Sequence, residues 1–120
     1  MRGTIEIEGK PIKFEANGAT PVMYRRMFHS DFLVEMKKLN DQLKATGSIE
    51  DLSPIENLAY LMAWQADPES VPGAIEEWLA GFEDPLSIYV ASNEIMRLWN
   101  LSAGKVSELK KKQKGKSTGR

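Results

Sequence analysis

Apolar and polar positions alternate at the start of the chain and then change period. Over residues 4–8 and 11–16 the period is two, the signature of strands with one buried face. Between them Gly9-Lys10 reads as a two-residue loop with glycine first, which suits a II′ turn. In that register Ile7 faces Ile12 and Ile5 faces Phe14, with Glu6, Glu8, Lys13 and Glu15 on the opposite face. Pro11 cannot donate the turn hydrogen bond, so a longer loop is the alternative. A lone hairpin is marginal in water and must pack on helices or pair with another chain.

After Asn17-Gly18 the apolar residues recur at helical spacing. Thr20-Pro21 reads as the cap and first position of a short helix over 21–29. A second helix restarts at Ser30 or Asp31 and reaches Ala45, with Phe32, Met36, Leu39 and Leu43 in one stripe. Glu35 with Lys38, and Asp41 with Lys44, are spaced for surface ion pairs. Thr46-Gly47-Ser48 ends this helix. Ser53-Pro54-Ile55-Glu56 has the letters of a capping box and starts a third helix that runs to Ala66, where Asp67-Pro68 stops it. A fourth, over 71–82, carries Val71, Ile75, Trp78, Leu79 and Phe82. Asp84-Pro85 caps a fifth, over 85–102, with Ile88, Ala91, Ile95, Leu98 and Trp99 on one face and Asn93, Arg97 and Asn100 opposite.

The pattern therefore predicts a mainly α protein: a short N-terminal β-hairpin packed on a bundle of four to five helices. Phe32, Leu58, Met62, Trp78, Leu79, Ile95 and Leu98 are its expected core. The helix over 54–66 departs from a simple amphipathic design. Ile55, Leu58, Ala59, Met62 and Ala66 form one apolar face, while Tyr60, Leu61 and Trp64 form another. A helix apolar all round is either central to a core or lies in an interface. Both readings stand at this point, and the second makes Tyr60, Leu61 and Trp64 the candidate protein-binding residues.

Charge divides the chain. Residues 105–120 hold seven basic residues and one acidic residue, whereas residues 1–104 hold nine basic and sixteen acidic. The Lys-rich tail has almost nothing apolar after Leu109 and cannot bury enough surface to offset its ordering entropy. The expected organisation is a globular domain over 1–104 and a disordered tail over 105–120. The length, 120 residues, suits one domain. No apolar run approaches the ~20 residues of a membrane helix. The N-terminus enters the strand pattern without a signal-peptide core, so the expected location is the cytoplasm.

Little here can carry chemistry. There is no cysteine and only one histidine, which excludes thiol nucleophiles, cysteine zinc sites and any site with two imidazoles. His29-Ser30-Asp31 has the letters of a triad, but neighbours on a helix point about 100° apart and cannot converge. Glu76-Glu77 lies off the apolar stripe and should be solvated, and Asp31 with Glu35 has no visible cleft. Gly115-Lys116-Ser117 lacks the strand and the upstream glycine of a P-loop. The expectation is no catalytic activity, no cofactor and no metal. The basic tail permits an alternative, a small nucleic-acid-associated regulator. Against it, the tail has no aromatic residue for stacking and the body is net negative.

Several segments carry a family resemblance that covers nearly the whole chain. After the hairpin come Tyr24-Arg25, Phe28 and Asp31 within 21–31, then Met62-Ala63-Trp64 within 57–66, then Glu77-Trp78-Leu79 within 75–82, and finally the lysine-rich tail. This order resembles the tail assembly chaperones of long-tailed (siphophage-type) bacteriophages and prophages of Gram-positive hosts. One departure is His29, where the family pattern has a small residue such as glycine. The resemblance implies a chaperone that coats the helical tape measure protein in the host cytoplasm, keeps it soluble and recruits tail tube protein around it. It also implies absence from the finished virion and a longer form made by ribosomal frameshifting. Lys110 to Lys112 and Gly115-Lys116 lie where such a slip could occur, because lysine codons are A-rich. Under this reading Tyr60, Leu61 and Trp64 contribute to tape measure binding, and self-association is allowed, with the hairpin edge as a second contact. Six methionines and three tryptophans supply the adaptable apolar surface that such binding needs.

Overall fold

The computed structural model describes residues 1–47 and 51–99. It is mainly helical, with an antiparallel hairpin of β1 (Arg2–Ile7) and β2 (Lys10–Glu15) at the start. Five helices follow: α1 (Thr20–Phe28), α2 (Phe32–Thr46), α3 (Ser53–Ala66), α4 (Ile75–Ala80) and α5 (Ser87–Val90). A further helix, α6, runs from residue 92 to the end of the described residues at 99. The expected tail over 105–120, and the expected helix end near 102, lie outside the described residues.

The hairpin turns one residue earlier than the sequence suggested, and its register changes accordingly. Glu8 and Gly9 occupy the loop with φ of 54° and 77°, the two positive values of a I′ turn, in place of the expected II′ turn at Gly9-Lys10. Ile5 now faces Ile12, Gly3 faces Phe14 and Ile7 faces Lys10. Proline explains the shift. With the loop at 9–10, Pro11 would have to donate the closing hydrogen bond. With the loop at 8–9 it sits opposite Glu6 in a pair that exchanges no hydrogen bonds. The slip is two residues, an even number, so every side chain keeps its face. Ile5, Ile7 and Phe14 remain buried and Ile12 half-buried. Gly3 permits a close approach from α6: a Cβ there would lie 2.8 Å from a Leu98 methyl.

Positive φ at Glu8 costs about 1–2 kcal/mol for a residue with a Cβ. Its side chain has a tertiary task. The carboxylate accepts hydrogen bonds from the backbone N–H of Glu83 (3.0 Å) and Asp84 (2.9 Å) and from the Ser87 hydroxyl. It thereby ties the hairpin turn to the start of α5. The Ser87 hydroxyl, and after it the two amides, hold this carboxyl below its ordinary value of 4.5.

Several local expectations change in the helices. Thr20 does not cap α1. It is fully buried, accepts from the Asn17 N–H (2.9 Å) and donates to Oε1 of Gln65 on α3 (2.8 Å). No side chain caps α1; Asn17 turns the chain into it, its Oδ1 accepting from the Ala19 N–H (2.8 Å). The capping box at Ser53 does not form either: Asp51 Oδ1 accepts from the Ser53 N–H (2.9 Å) and organises the start of α3. Asp31 does cap α2, accepting from Leu33 (2.9 Å) and Val34 (3.3 Å). Neither expected helix-surface ion pair is present among the described residues, whose ion pairs are Arg2–Glu15 and Arg25–Asp31. Glu35 instead accepts from the Tyr24 hydroxyl (2.7 Å) and from Ser30. Helix α4 begins four residues later than expected because Pro72-Gly73 keeps the preceding turn out of helical geometry. The expected fifth helix is divided at Ala91 into α5 and α6, while Ile88, Ala91, Ile95 and Trp99 keep the common buried face.

Helix α3 is the centre. It packs on β2, α1, α2, α4 and α5, and Leu58 through Ala63 are all buried. Of the expected core, Phe32, Leu58, Met62, Trp78 and Ile95 are buried, and Leu79 and Leu98 pack half-buried against them. Aromatic rings join the layers: Tyr24 meets Phe28 at 4.9 Å and Phe32 at 5.1 Å, and Phe32 meets Trp99 edge-on at 4.9 Å. Burial, followed by the bond to Glu35, pushes the Tyr24 phenol well above its ordinary value.

Two substitutions check this account. Thr20→Val keeps the shape but leaves Gln65 Oε1 and the Asn17 amide without their partner. It should cost about 1–3 kcal/mol in urea unfolding. Glu8→Gln tests the turn. Because the folded carboxyl binds its proton less readily than the unfolded one, its contribution is present above pH 4.5 and is lost as pH falls through the lowered value. The variant should melt below wild type at pH 7, and the gap should shrink on acidification past that point.

Candidate partner-binding groove

The structure separates the three candidate binding residues. Tyr60 and Leu61 are 3% and 0% exposed, inside the core. The Tyr60 hydroxyl donates to the Pro72 carbonyl (2.5 Å), and its ring meets Trp78 edge-on at 5.8 Å. Trp78 in turn meets Phe82 at 5.2 Å. A partner could reach Tyr60 only if the segment from Pro72 to Phe82 moved away. Burial, then the charges of Glu77 and Glu76, raise its phenol pKa. Trp64 alone keeps part of its surface, half-buried against the core. The two apolar faces of α3 are thus largely two sides of one interior.

An apolar groove opens elsewhere, between α2 and α6. Leu33, Met36, Leu39 and Leu43 of α2 form one wall, Met96 and Trp99 of α6 the other, and Ile55 of α3 contributes from below. Its volume is about 570 Å³. Leu33 is 61% exposed and Leu43 43%, high values for leucines on one helix. Lys37, Asn40, Ser92 and Asn93 supply the polar rim. Local chemistry sets this geometry. The Asp31 cap fixes where α2 begins, and Gly47, at φ 77°, ends it with its N–H on the Leu43 carbonyl. The Phe32–Trp99 contact then holds α6 beside α2. His29 makes the preceding bend. It is left-handed (φ 56°, ψ 36°) and its N–H bonds the Arg25 carbonyl. That is a position glycine fills without strain.

The groove was only half visible in the sequence. Met36, Leu39 and Leu43 belong to the stripe predicted for this helix, and Leu33 falls outside it. Leu33 was the available signal: an apolar residue beside Phe32 that widens the stripe beyond what one buried seam uses. Which side stayed open depended on the position of α6.

The residues with chemical potential are occupied otherwise. His29 closes α1, Ser30 donates to Glu35, and Asp31 caps α2. Glu76 and Glu77 are exposed. Among the described residues no group of three or more His, Asp or Glu side chains could hold a metal, and no helix is long and apolar enough to cross a membrane. A second depression, of about 250 Å³, is acidic, lined by Glu6, Glu8, Asp84 and Glu94 with Val90. No protein-family model matches the chain, and neither curated proteins nor solved structures give a match.

The core position of Tyr60 leads to an expected contrast. Tyr60→Ala should destabilise by about 3–5 kcal/mol, as for other buried aromatic truncations. Trp64→Ala should cost clearly less, because part of that ring already faces water. Urea midpoints of the two variants provide the check.

Proposed function

We propose that this protein is a non-catalytic tail assembly chaperone of a long-tailed phage or prophage. In this reading it acts in the bacterial cytoplasm, holds a tape measure protein soluble and helps recruit tail tube protein to it. The observation that carries the reading is the exposed apolar groove between α2 and α6. Before assembly a tape measure presents long apolar stripes on helices, and a groove with leucine and methionine walls suits such a stripe. The family resemblance supports the same reading. The residues that carry it are those that build the scaffold: Tyr24, Phe28 and Asp31 make the α1–α2 elbow, and Trp78 closes over Tyr60.

Weak contacts suffice for this task. A rod with many repeats of an apolar stripe binds many copies, so modest affinity per site gives strong overall retention. Methionine side chains in the wall adapt to stripes that differ in detail. Trp64, half-buried and with part of its ring facing water, provides a second contact.

The test is co-expression with the tape measure protein of the same genome. Wild type should raise soluble tape measure severalfold. Leu33→Glu and Met36→Glu should abolish that effect, and Leu33→Glu should leave the melting temperature nearly unchanged because Leu33 is already exposed. If wild type leaves the tape measure insoluble, the chaperone reading fails. If the groove variants solubilise it as well as wild type does, the binding surface lies elsewhere.

A further inference from the structure

The groove differs in charge from the body around it. Residues 1–104 carry sixteen acidic and nine basic residues. Yet among the described residues no carboxylate lines the groove, and Lys37 is the charged residue that does. Lys37 is exposed and forms no ion pair among the described residues. Lys44 lies seven residues further along α2, two turns on and within about 20° of the same side. Neither Lys44 nor Asp41 is among the lining residues, but the helical period turns Asp41 further from the groove than either lysine. Carboxylates gather in other depressions, Glu6, Glu8, Asp84 and Glu94 in one and Glu35 with Asp51 in another. A cationic rim on an apolar groove, set in an acidic body, is a statement about the occupant.

We infer that the groove selects a helical partner segment whose apolar stripe is flanked by acidic residues, which meet Lys37 and Lys44 at the rim. This rests on the chaperone reading for the identity of the natural partner. The groove runs from Leu33 to Leu43, roughly 15 Å at 1.5 Å per residue, so it accepts about three turns of helix. Anchors spaced i, i+4 and i+7 fill that length. The chain's own tail is a poor occupant: its seven basic residues meet lysines at the rim. A second copy would have to bring a carboxylate-flanked apolar helix, and α2 itself presents lysines.

Two synthetic helical peptides of roughly four turns test the inference. Both carry leucines at i, i+4, i+7 and i+11. One is flanked by glutamates and its twin by lysines. Fluorescence anisotropy with the full chain should give about tenfold tighter binding of the acidic peptide at low salt, and the advantage should fade towards 1 M salt, where the screening length falls to about 3 Å. The double variant Lys37→Glu/Lys44→Glu should reverse the order. Its melting curve should match wild type, since both lysines are exposed. Equal affinities, a preference for the lysine peptide, no binding of either, or an unchanged order in the double variant would overturn the inference. So would displacement of the acidic peptide by a synthetic copy of residues 105–120, which would make the tail the occupant. Affinity that falls as protein concentration rises would do the same, by making a second copy the occupant. The outcomes separate from the broader reading. If these results fail while wild type still solubilises the tape measure, the charge selectivity is wrong and the chaperone function stands. If the peptides behave as expected but the tape measure stays insoluble, the groove's selectivity stands and the chaperone function falls.

Discussion

Six consecutive residues of α3, Leu58 to Ala63, are buried. Six residues span more than one and a half turns, so they point in every direction around the helix axis. A helix with no side for water must be covered on all sides, and most of the fold follows from that requirement. The hairpin covers one side through β2, α1 and α2 cover others, and the short helices α4 and α5 complete the enclosure. Elements too small to be stable alone, a two-stranded sheet and helices of four and six residues, persist because they share this one apolar axis.

Polar groups set the register of that enclosure. Arg2 bonds Glu15 across the hairpin (2.6 Å), Glu15 accepts from Asn17 (2.7 Å), and Asn17 and Thr20 both meet Gln65 at the end of α3. This chain links the open end of the hairpin, the start of α1 and the last turn of α3. Glu8 does the equivalent at the other end, from the hairpin turn to α5. The exposed members contribute little energy individually. Thr20 differs: it is buried and fully partnered, and no buried side-chain polar atom among the described residues lacks a partner. Apolar burial alone would let the hairpin slide on α3, whereas directional bonds at both ends do not.

Enclosure of α3 leaves an apolar surplus, and the surplus is where function is proposed. Phe32 and Leu39 of α2 face inward, so its neighbouring residues Leu33, Met36 and Leu43 turn toward the gap with α6. A small domain could have closed that gap with larger side chains or filled it with charge. Instead it presents adaptable apolar walls and a rim with a lysine, which suits transient capture of another helix better than self-closure.

The sequence by itself determined the number and kind of most elements, since period and chain breakers are local properties. The period-two start, Asp31 before α2, Gly47 after it, and the face shared by Ile88, Ala91, Ile95 and Trp99 were all readable. Pro11 contained the evidence for the correct hairpin turn, because a missing N–H excludes it from the closing pair. Local capping was less secure: Thr20 and Ser53 have the chemistry of caps, but a hydroxyl bonds whatever donor or acceptor the fold brings near. Gln65 lies 45 residues from Thr20, and no local pattern announces that meeting. The same limit governed Tyr60, Leu61 and Trp64. Their spacing on α3 established that the helix is apolar on two sides. Only the packing of α4 and the turn before it decided that Tyr60 is covered, and only the placement of α6 against α2 decided that the open apolar surface belongs to Leu33, Met36 and Met96. Which hydrophobic residues stay exposed depends on distances between elements, and those are set by the whole fold at once.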